Sequence, residues 1–158
     1  MVQEESYKKI GIISDTHGYL NNTVFDIFSD VDLVIHAGDI GNVDILVALQ
    51  SIAPVRAVYG NTDGFEFRKD LKFLIRFEVL DYTFIVTHMP IQLEQTHITG
   101  KIIKVFGHTH FAEIIQESNG MTINPGSAGR PNTDGRYSVV LLELGHNSEP
   151  KAEIIYFS

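Results

Sequence analysis

The sequence predicts a single α/β domain in which two β-sheets pack face to face with helices outside. Three observations carry that expectation. Residues 8–61 alternate short apolar runs with amphipathic stretches, the order of parallel strands joined by helical crossovers. Residues 72–158 are a series of strand-like runs joined by short turns, with few helical patterns. No repeat, low-complexity segment or linker divides the 158 residues, a length that suits one domain with a real core.

In order along the chain, "KKIGIIS" (8–14) is an apolar run of buried-strand character. "LNNTVFDIFSD" (20–30) offers a cap at Asn21 or Asn22, then Val24, Ile27 and Phe28 at helical spacing. "DLVIHAGD" (32–39) is a second buried strand, "NVDILVALQSI" (42–52) a second amphipathic helix and "PVRAVYGN" (54–61) a third strand. The segment from 65 to 77 carries Phe65, Phe67, Phe73 and Phe77. Core packing is its default reading, with a homodimer interface or a pocket wall as the alternative. Beyond it, the runs at 72–80, 82–88, 102–108, 112–118, 120–124, 137–144 and 152–158 read as strands of a mostly antiparallel half. Asn119-Gly120 is a hairpin turn signal within them.

The composition sets outer limits on function. An apolar fraction of 44% and a charged fraction of 20% are those of a soluble globular protein. A formal charge of −8 argues against general nucleic-acid binding, which needs a basic face to neutralise phosphates. Bound metal ions would still let such a chain attract phosphate locally. The absence of cysteine excludes disulfides and thiolate metal sites. No apolar run precedes the first strand, and no segment reaches the roughly 18 apolar residues of a membrane span. A cytoplasmic protein without membrane attachment is expected.

Chemistry gathers at the strand ends. The first strand runs into "SDTH", the second into "HAGD", the third into "GNTD", and later strands into "VTHMP" and "FGHTH". His108 and His110 lie at i and i+2, so in extended chain both imidazoles leave the same side. Ligand groups in α/β sheets collect outside the carboxyl ends of parallel strands, so these five tips can surround one crevice. They bring Asp15, His17, Asp39, Asn61, His88, His108 and His110 into one candidate set. Seven oxygen and nitrogen donors exceed one tetrahedral zinc site and fit two divalent ions sharing a carboxylate. The donor set suits Mn, with Fe, Zn, Ni, Co or Mg as alternatives. Two ions about 3.5–4 Å apart are the arrangement for in-line displacement at phosphorus.

The motifs "SDTHG", "HAGDI", "GNTD", "VTH", "GHTH" and "NPGS", in this order, resemble the calcineurin-like metallophosphoesterases. They resemble most closely the small bacterial and archaeal phosphodiesterase subgroup, over residues 8–144. The resemblance implies a four-layer α/β/β/α sandwich of two mixed β-sheets with a dimetal site at the sheet ends. It implies Asp15, His17 and His110 on one ion and Asn61, His88 and His108 on the other, with Asp39 bridging. Gly38, Gly60 and Gly107 then let the backbone turn beside the ions. Asp39 and Asn61 are the implied catalytic ligands, and Asn61 also contacts substrate. Ser127, closing the pocket floor in "NPGS", and Arg130, just after it, are further candidates for substrate contact.

Two positions depart from the family pattern. Thr62 stands where many members carry a histidine that stabilises the transition state or protonates the leaving group. Met89-Pro90 replace a glycine and a second histidine, and the link from there to "GHTH" is too short and polar for a long helix. Among the other histidines, His36 is assigned a buried supporting position behind the ligands. His97 is a surface residue that would replace the missing acid if its loop folds over the site, and His146 a turn residue. Asp63 is read as a partner of the loop backbone.

The implied activity is hydrolysis of phosphoesters, foremost phosphodiesters, by a hydroxide bridging two metal ions, with a small phosphoester as substrate. Thr62 predicts a preference for leaving groups that depart unprotonated, such as aryl esters. The alternatives are a non-catalytic protein-binding scaffold that keeps the fold and metal site, and a mononuclear non-haem iron enzyme; the retromer subunit that shares this architecture uses its surface for partner contacts but has lost residues of the dimetal site. A homodimer or higher homo-oligomer is also open.

Overall fold

The computed structural model describes residues 7–95 and 98–158. Its first sheet contains β1 (Tyr7–Ile13), β2 (Leu33–His36), β3 (Val55–Ala57), β9 (Tyr137–Gly145) and β10 (Lys151–Phe157), in the order β10-β9-β1-β2-β3. Here β1, β2 and β3 pair in parallel, while β9 is antiparallel to both β1 and β10. The second sheet contains β4 (Leu74–Val79), β5 (Tyr82–Thr87), β6 (Lys101–Val105), β7 (Glu113–Glu117) and β8 (Gly120–Asn124), in the order β4-β5-β6-β8-β7.

The second half of the chain corrects one expectation. Its inner strands β5, β6 and β8 are parallel, with antiparallel pairs only where β4 and β7 flank them. The last two strands return to the first sheet. Strand patterning records which face a residue occupies and not which way the strand runs. Direction follows from the connections, and the β5–β6 link is long enough for a crossover. The resulting pair of mixed sheets is the sandwich implied by the motifs.

The core lies between the sheets. Ile10, Ile12 and Ile35 from the first sheet meet Phe84, Ile103, Val105 and Ile123 from the second, all fully buried. At about 1.5–3 kcal/mol for each such side chain removed from water, this layer is the main source of cohesion. Helices α1 (Thr23–Ile27) and α2 (Val43–Gln50) cover the other face of the first sheet, burying Val24, Phe28, Ile45 and Leu49. Asn42 caps α2, its side-chain oxygen accepting from Asp44 N at 2.9 Å. Asn21 serves the start of α1, accepting from Thr23 N at 2.9 Å. Over the second sheet the outer layer is a 3-10 helix, Pro90–Gln95, with Leu93 packed on Ile85 and Phe106.

The aromatic segment divides among several environments. Phe67, on the short α3 (Phe65–Arg68), packs beneath the helical layer, and Phe77 stacks on Phe84 between the sheets. Phe65 and Phe73 remain 79% and 50% exposed, so core packing accounts for only part of the segment. Among the described residues no helix is long and apolar enough to cross a membrane. His97 lies outside the described residues.

Candidate metal centre

The parallel strands of both sheets deliver their carboxyl ends to one edge. Beyond β1 the chain supplies Asp15 and His17, beyond β2 Asp39, beyond β3 Asn61, beyond β5 His88, and beyond β6 His108 and His110. Five of these residues take positive φ: Asp15 at 55°, His17 at 47°, Asp39 at 55°, His108 at 70° and His110 at 62°. Among the described residues only Leu80 and Asn147 share that conformation outside glycine. Left-handed backbone costs an L-residue free energy, so it persists only where surrounding contacts over-determine it.

Those contacts are present. Past the strand ends the first two loops stay paired, through Asp15 N to Gly38 O at 2.9 Å, His17 N to Asp39 O at 2.9 Å and Gly18 N to Ile40 O at 2.8 Å. The buried Asp63 carboxylate accepts from Ile40 N, Gly41 N and Gly60 N at 3.1, 3.0 and 2.9 Å, tying the second loop to the third. Asp63 is thus a partner of the loop backbone.

His36 is fully buried and joins the first two loops from behind. Thr16 Oγ1 donates to Ile40 O at 2.8 Å, so at 3.0 Å it accepts from His36 Nε2. His36 Nδ1 in turn accepts from Gly38 N at 3.1 Å. The neutral ring satisfies both contacts, and burial pushes its pKa down to about 4. Glycine is required where the loops touch: a Cβ on Gly60 would lie 2.1 Å from Asp39 Oδ1. One on Gly38, at φ 100°, would lie 2.8 Å from the His88 ring.

The seven predicted ligand residues converge, in two wings about a pair of carboxylates. In one wing His17 and His110 bring their Nε2 atoms to 3.4 Å, and His110 Nε2 lies 3.1 Å from Asp15 Oδ1. In the other, His88 Nε2 lies 3.2 Å from Asp39 Oδ2, and His108 Nδ1 lies 3.2 Å from Asn61 Oδ1. Between the wings, His17 Nε2 is 3.7 Å from Asp15 and 3.8 Å from Asp39, while His88 Nε2 is 3.9 Å from Asp15 Oδ1. Among the described residues two groups have side-chain atoms close enough for one ion: Asp15, His17 and His110, and Asp15, Asp39 and His88.

Two buried atoms test whether a cation fits. Among the described residues, Asp15 Oδ1 and His88 Nε2 have no hydrogen-bond partner. His88 Nδ1 donates to Ala37 O at 2.7 Å, which leaves its Nε2 as a lone pair aimed at two carboxylates. Buried acceptors facing one another are costly unless a shared positive charge joins them. A divalent ion supplies that charge, so the donor set and its orphaned atoms fit a metal. A proton is the alternative occupant: burial opposes it, but the Asp39 contact and the Asp15 charge raise the His88 pKa. With that proton on His88, burial still works to raise the Asp39 pKa, yet hydrogen bonds from His88 and Thr62 hold it well below the usual carboxylate range. Burial, then the charge of Arg130, lowers the pKa of His17.

The remaining predicted residues surround this core. Thr62 is exposed, and its backbone N–H donates to Asp39 Oδ1 at 3.0 Å. Ser127 is buried, its hydroxyl donating to Asp15 O at 2.8 Å and accepting from Arg130 N at 3.0 Å. That hydroxyl ties the Arg130 backbone to the Asp15 loop. Arg130 is exposed, with its charge felt at His17. Supports that sequence reasoning passed over include Ser14, donating to Asp15 Oδ2 at 2.6 Å, and Asn124, donating to Gly107 O and Thr109 Oγ1 at 3.2 and 2.8 Å. The "NPGS" motif pointed at Asn124; nothing in the pattern singled out Ser14.

Comparison with known proteins agrees with this geometry. A protein of Methanothermobacter thermautotrophicus named "Probable metallophosphoesterase" is 34% identical over 162 aligned positions, covering 92% of this chain and 91% of the relative. A phosphodiesterase of Methanocaldococcus jannaschii is 34% identical over 137 positions, covering 75% and 82%. A solved archaeal phosphodiesterase superposes with a TM-score of 0.70 at 27% identity, covering 93% of this chain and 99% of its own. Vps29 of Entamoeba histolytica shares the fold at a TM-score of 0.73 and 19% identity, covering 95% and 99%. Residues 9–147 match the family model of the calcineurin-like phosphoesterase superfamily domain, and the chain belongs to that superfamily.

Proposed function

We propose that this protein is a metal-dependent phosphodiesterase acting on small phosphoesters with two divalent ions in the cluster described above. The observation that carries the proposal is the orphaned pair of buried acceptors, Asp15 Oδ1 and His88 Nε2, within a set of seven converging ligand residues. The phosphodiesterase of Methanocaldococcus jannaschii supports the choice of ester. In this reading Asp15, His17 and His110 would hold one ion and Asn61, His88 and His108 the other, with Asp39 a ligand available to both. When bound, the ions, with Mn foremost, supply charge for the phosphoryl oxygens and acidify the attacking water.

The chain's own residues supply position and proton control. The Asp39 carboxylate accepts from the Thr62 backbone N–H at 3.0 Å, which favours its ionised, coordinating form. Ala37 O fixes the ring of His88, and Ser14 and the His108 backbone N–H fix Asp15 Oδ2. Hydrolysis forms one P–O bond to the water oxygen and breaks the P–O bond to the leaving oxygen. That oxygen needs a proton unless it departs as a stable anion. The Thr62 hydroxyl is a poor acid at neutral pH, so the proton comes from solvent and aryl esters are favoured.

The test is to titrate metal-stripped protein with Mn²⁺ while following hydrolysis of a p-nitrophenyl diester, with p-nitrophenyl phosphate alongside. Diester turnover that saturates near two ions per chain is expected. Binding of the ions with neither ester cleaved would overturn the reading and favour a protein-binding scaffold. Saturation at one ion would overturn the dinuclear assignment.

A further inference from the structure

A groove of about 350 Å³ opens directly beside Asn61 and His88. Its other walls are Tyr59, Phe73, Met89 and Arg68, so one side belongs to the proposed metal set and the rest is mainly apolar. A site that recognised only a phosphoryl group would have no use for such walls. Phe73 is 50% exposed and stacks on no other ring among the described residues. Met89 is held at the rim by Gln92, whose Oε1 accepts from Met89 N at 3.4 Å and also bonds the Thr87 hydroxyl. Arg68 is anchored too: its Nε donates to Asp63 O at 2.8 Å and its guanidinium lies 4.8 Å from the centre of the Tyr59 ring. Among the described residues no carboxylate pairs with it, which leaves a positioned cation at the edge of an apolar groove next to the metal centre.

Resting on the phosphodiesterase reading, we infer that this groove receives a planar aromatic group carried by the substrate diester, against Phe73 and Met89, while Arg68 engages a non-bridging phosphoryl oxygen. Aromatic surface stacks favourably on a half-exposed ring, and a guanidinium suits a phosphoryl oxygen better than an apolar group does. The volume is near the lower end of the roughly 300–1,000 Å³ typical of small-molecule clefts, so it admits one ring system. The net charge of −8 further disfavours a polynucleotide. The substrate class is therefore a small diester with an aryl or nucleoside group on one side.

Calorimetric binding of phenylphosphonate and methylphosphonate to Mn²⁺-loaded protein separates the groove from the metals, because the two probes share a phosphonate and differ in the ring. Phenylphosphonate is expected to bind about tenfold more tightly. Phe73→Ala, or Phe73→Leu as a milder change, removes that preference and leaves methylphosphonate affinity in place. Arg68→Gln weakens both probes by similar factors. Equal affinity of the two probes, with diester turnover intact, overturns the groove assignment alone. If neither probe binds and no diester is cleaved, the phosphodiesterase reading falls and takes this inference with it.

Discussion

His36 shows how a residue outside the predicted ligand set can brace the loops that carry it. Its neutral ring links Thr16, between Asp15 and His17, to Gly38, beside Asp39. Protonating Nδ1 would set an N–H against the Gly38 N–H, which is why burial and geometry agree on a pKa pushed down to about 4 from 6.5. The unfolded chain binds this proton more readily, so between those two pH values unfolding takes up protons. Stability is complete above pH 6.5 and falls as the pH is lowered toward 4, by at most about 3 kcal/mol from this group. Urea unfolding of metal-free protein at pH 7 and pH 5 checks it: the loss should be smaller in His36→Gln, and an equal loss would remove the assignment. At Thr62 the expected change is in rate. Thr62→His should raise turnover of alkyl diesters by about 10²-fold while aryl diesters change little, since only the former need a protonated leaving group. Equal acceleration of both would show that leaving-group protonation is not what Thr62 lacks.

Among the elements, the loops that follow β1, β2 and β3 behave as one unit: backbone pairs join the first two, and Asp63 ties the second to the third. Its three backbone contacts satisfy donors that the left-handed turns leave unpaired. Hydrogen bonds to a charged acceptor are worth about 1.5–3 kcal/mol each, so Asp63→Ala should lower unfolding stability by about 3 kcal/mol or more and weaken Mn²⁺ binding with it. A variant that lost metal affinity at unchanged stability would contradict this, since the role is structural. Helix α2 gives a milder case: Asn42→Ala removes its cap and should cost about 1 kcal/mol, read from the denaturation midpoint, with no effect on metal affinity. Strands and the two main helices were legible at this level because their periodicities are strong. Helix α3 was not, since Phe65–Arg68 is too short for a periodic signal.

For the whole molecule, the two sheets act as a frame that holds acceptors together against their mutual repulsion. Without a cation, Asp15 Oδ1, His88 Nε2 and Asp39 crowd one another, which destabilises the folded chain locally. Mn²⁺ should therefore raise the unfolding temperature, with about 2.7 kcal/mol of added stability at a hundred times its dissociation constant. Asp15→Asn should have the opposite pattern in calorimetry, with a higher unfolding temperature when metal-free and little response to Mn²⁺. If Asp15→Asn instead destabilised the metal-free protein, the carboxylate would be a structural acceptor rather than a strained ligand.

Chemistry was legible along the chain: which residues close each strand, that cysteine is absent, and that oxygen and imidazole groups recur at the tips of five strands. Those are covalent facts, and side-chain alternation makes their faces readable. The folded structure was needed to see that β5, β6 and β8 run parallel, because direction depends on how distant segments pair rather than on local pattern. It alone showed that five of the predicted ligand residues sit in left-handed backbone, that the Ser127 hydroxyl is turned onto Asp15, and that Phe73, Met89 and Arg68 meet beside His88. Each is a contact between residues far apart in the chain, and such contacts exist only once the two sheets have packed.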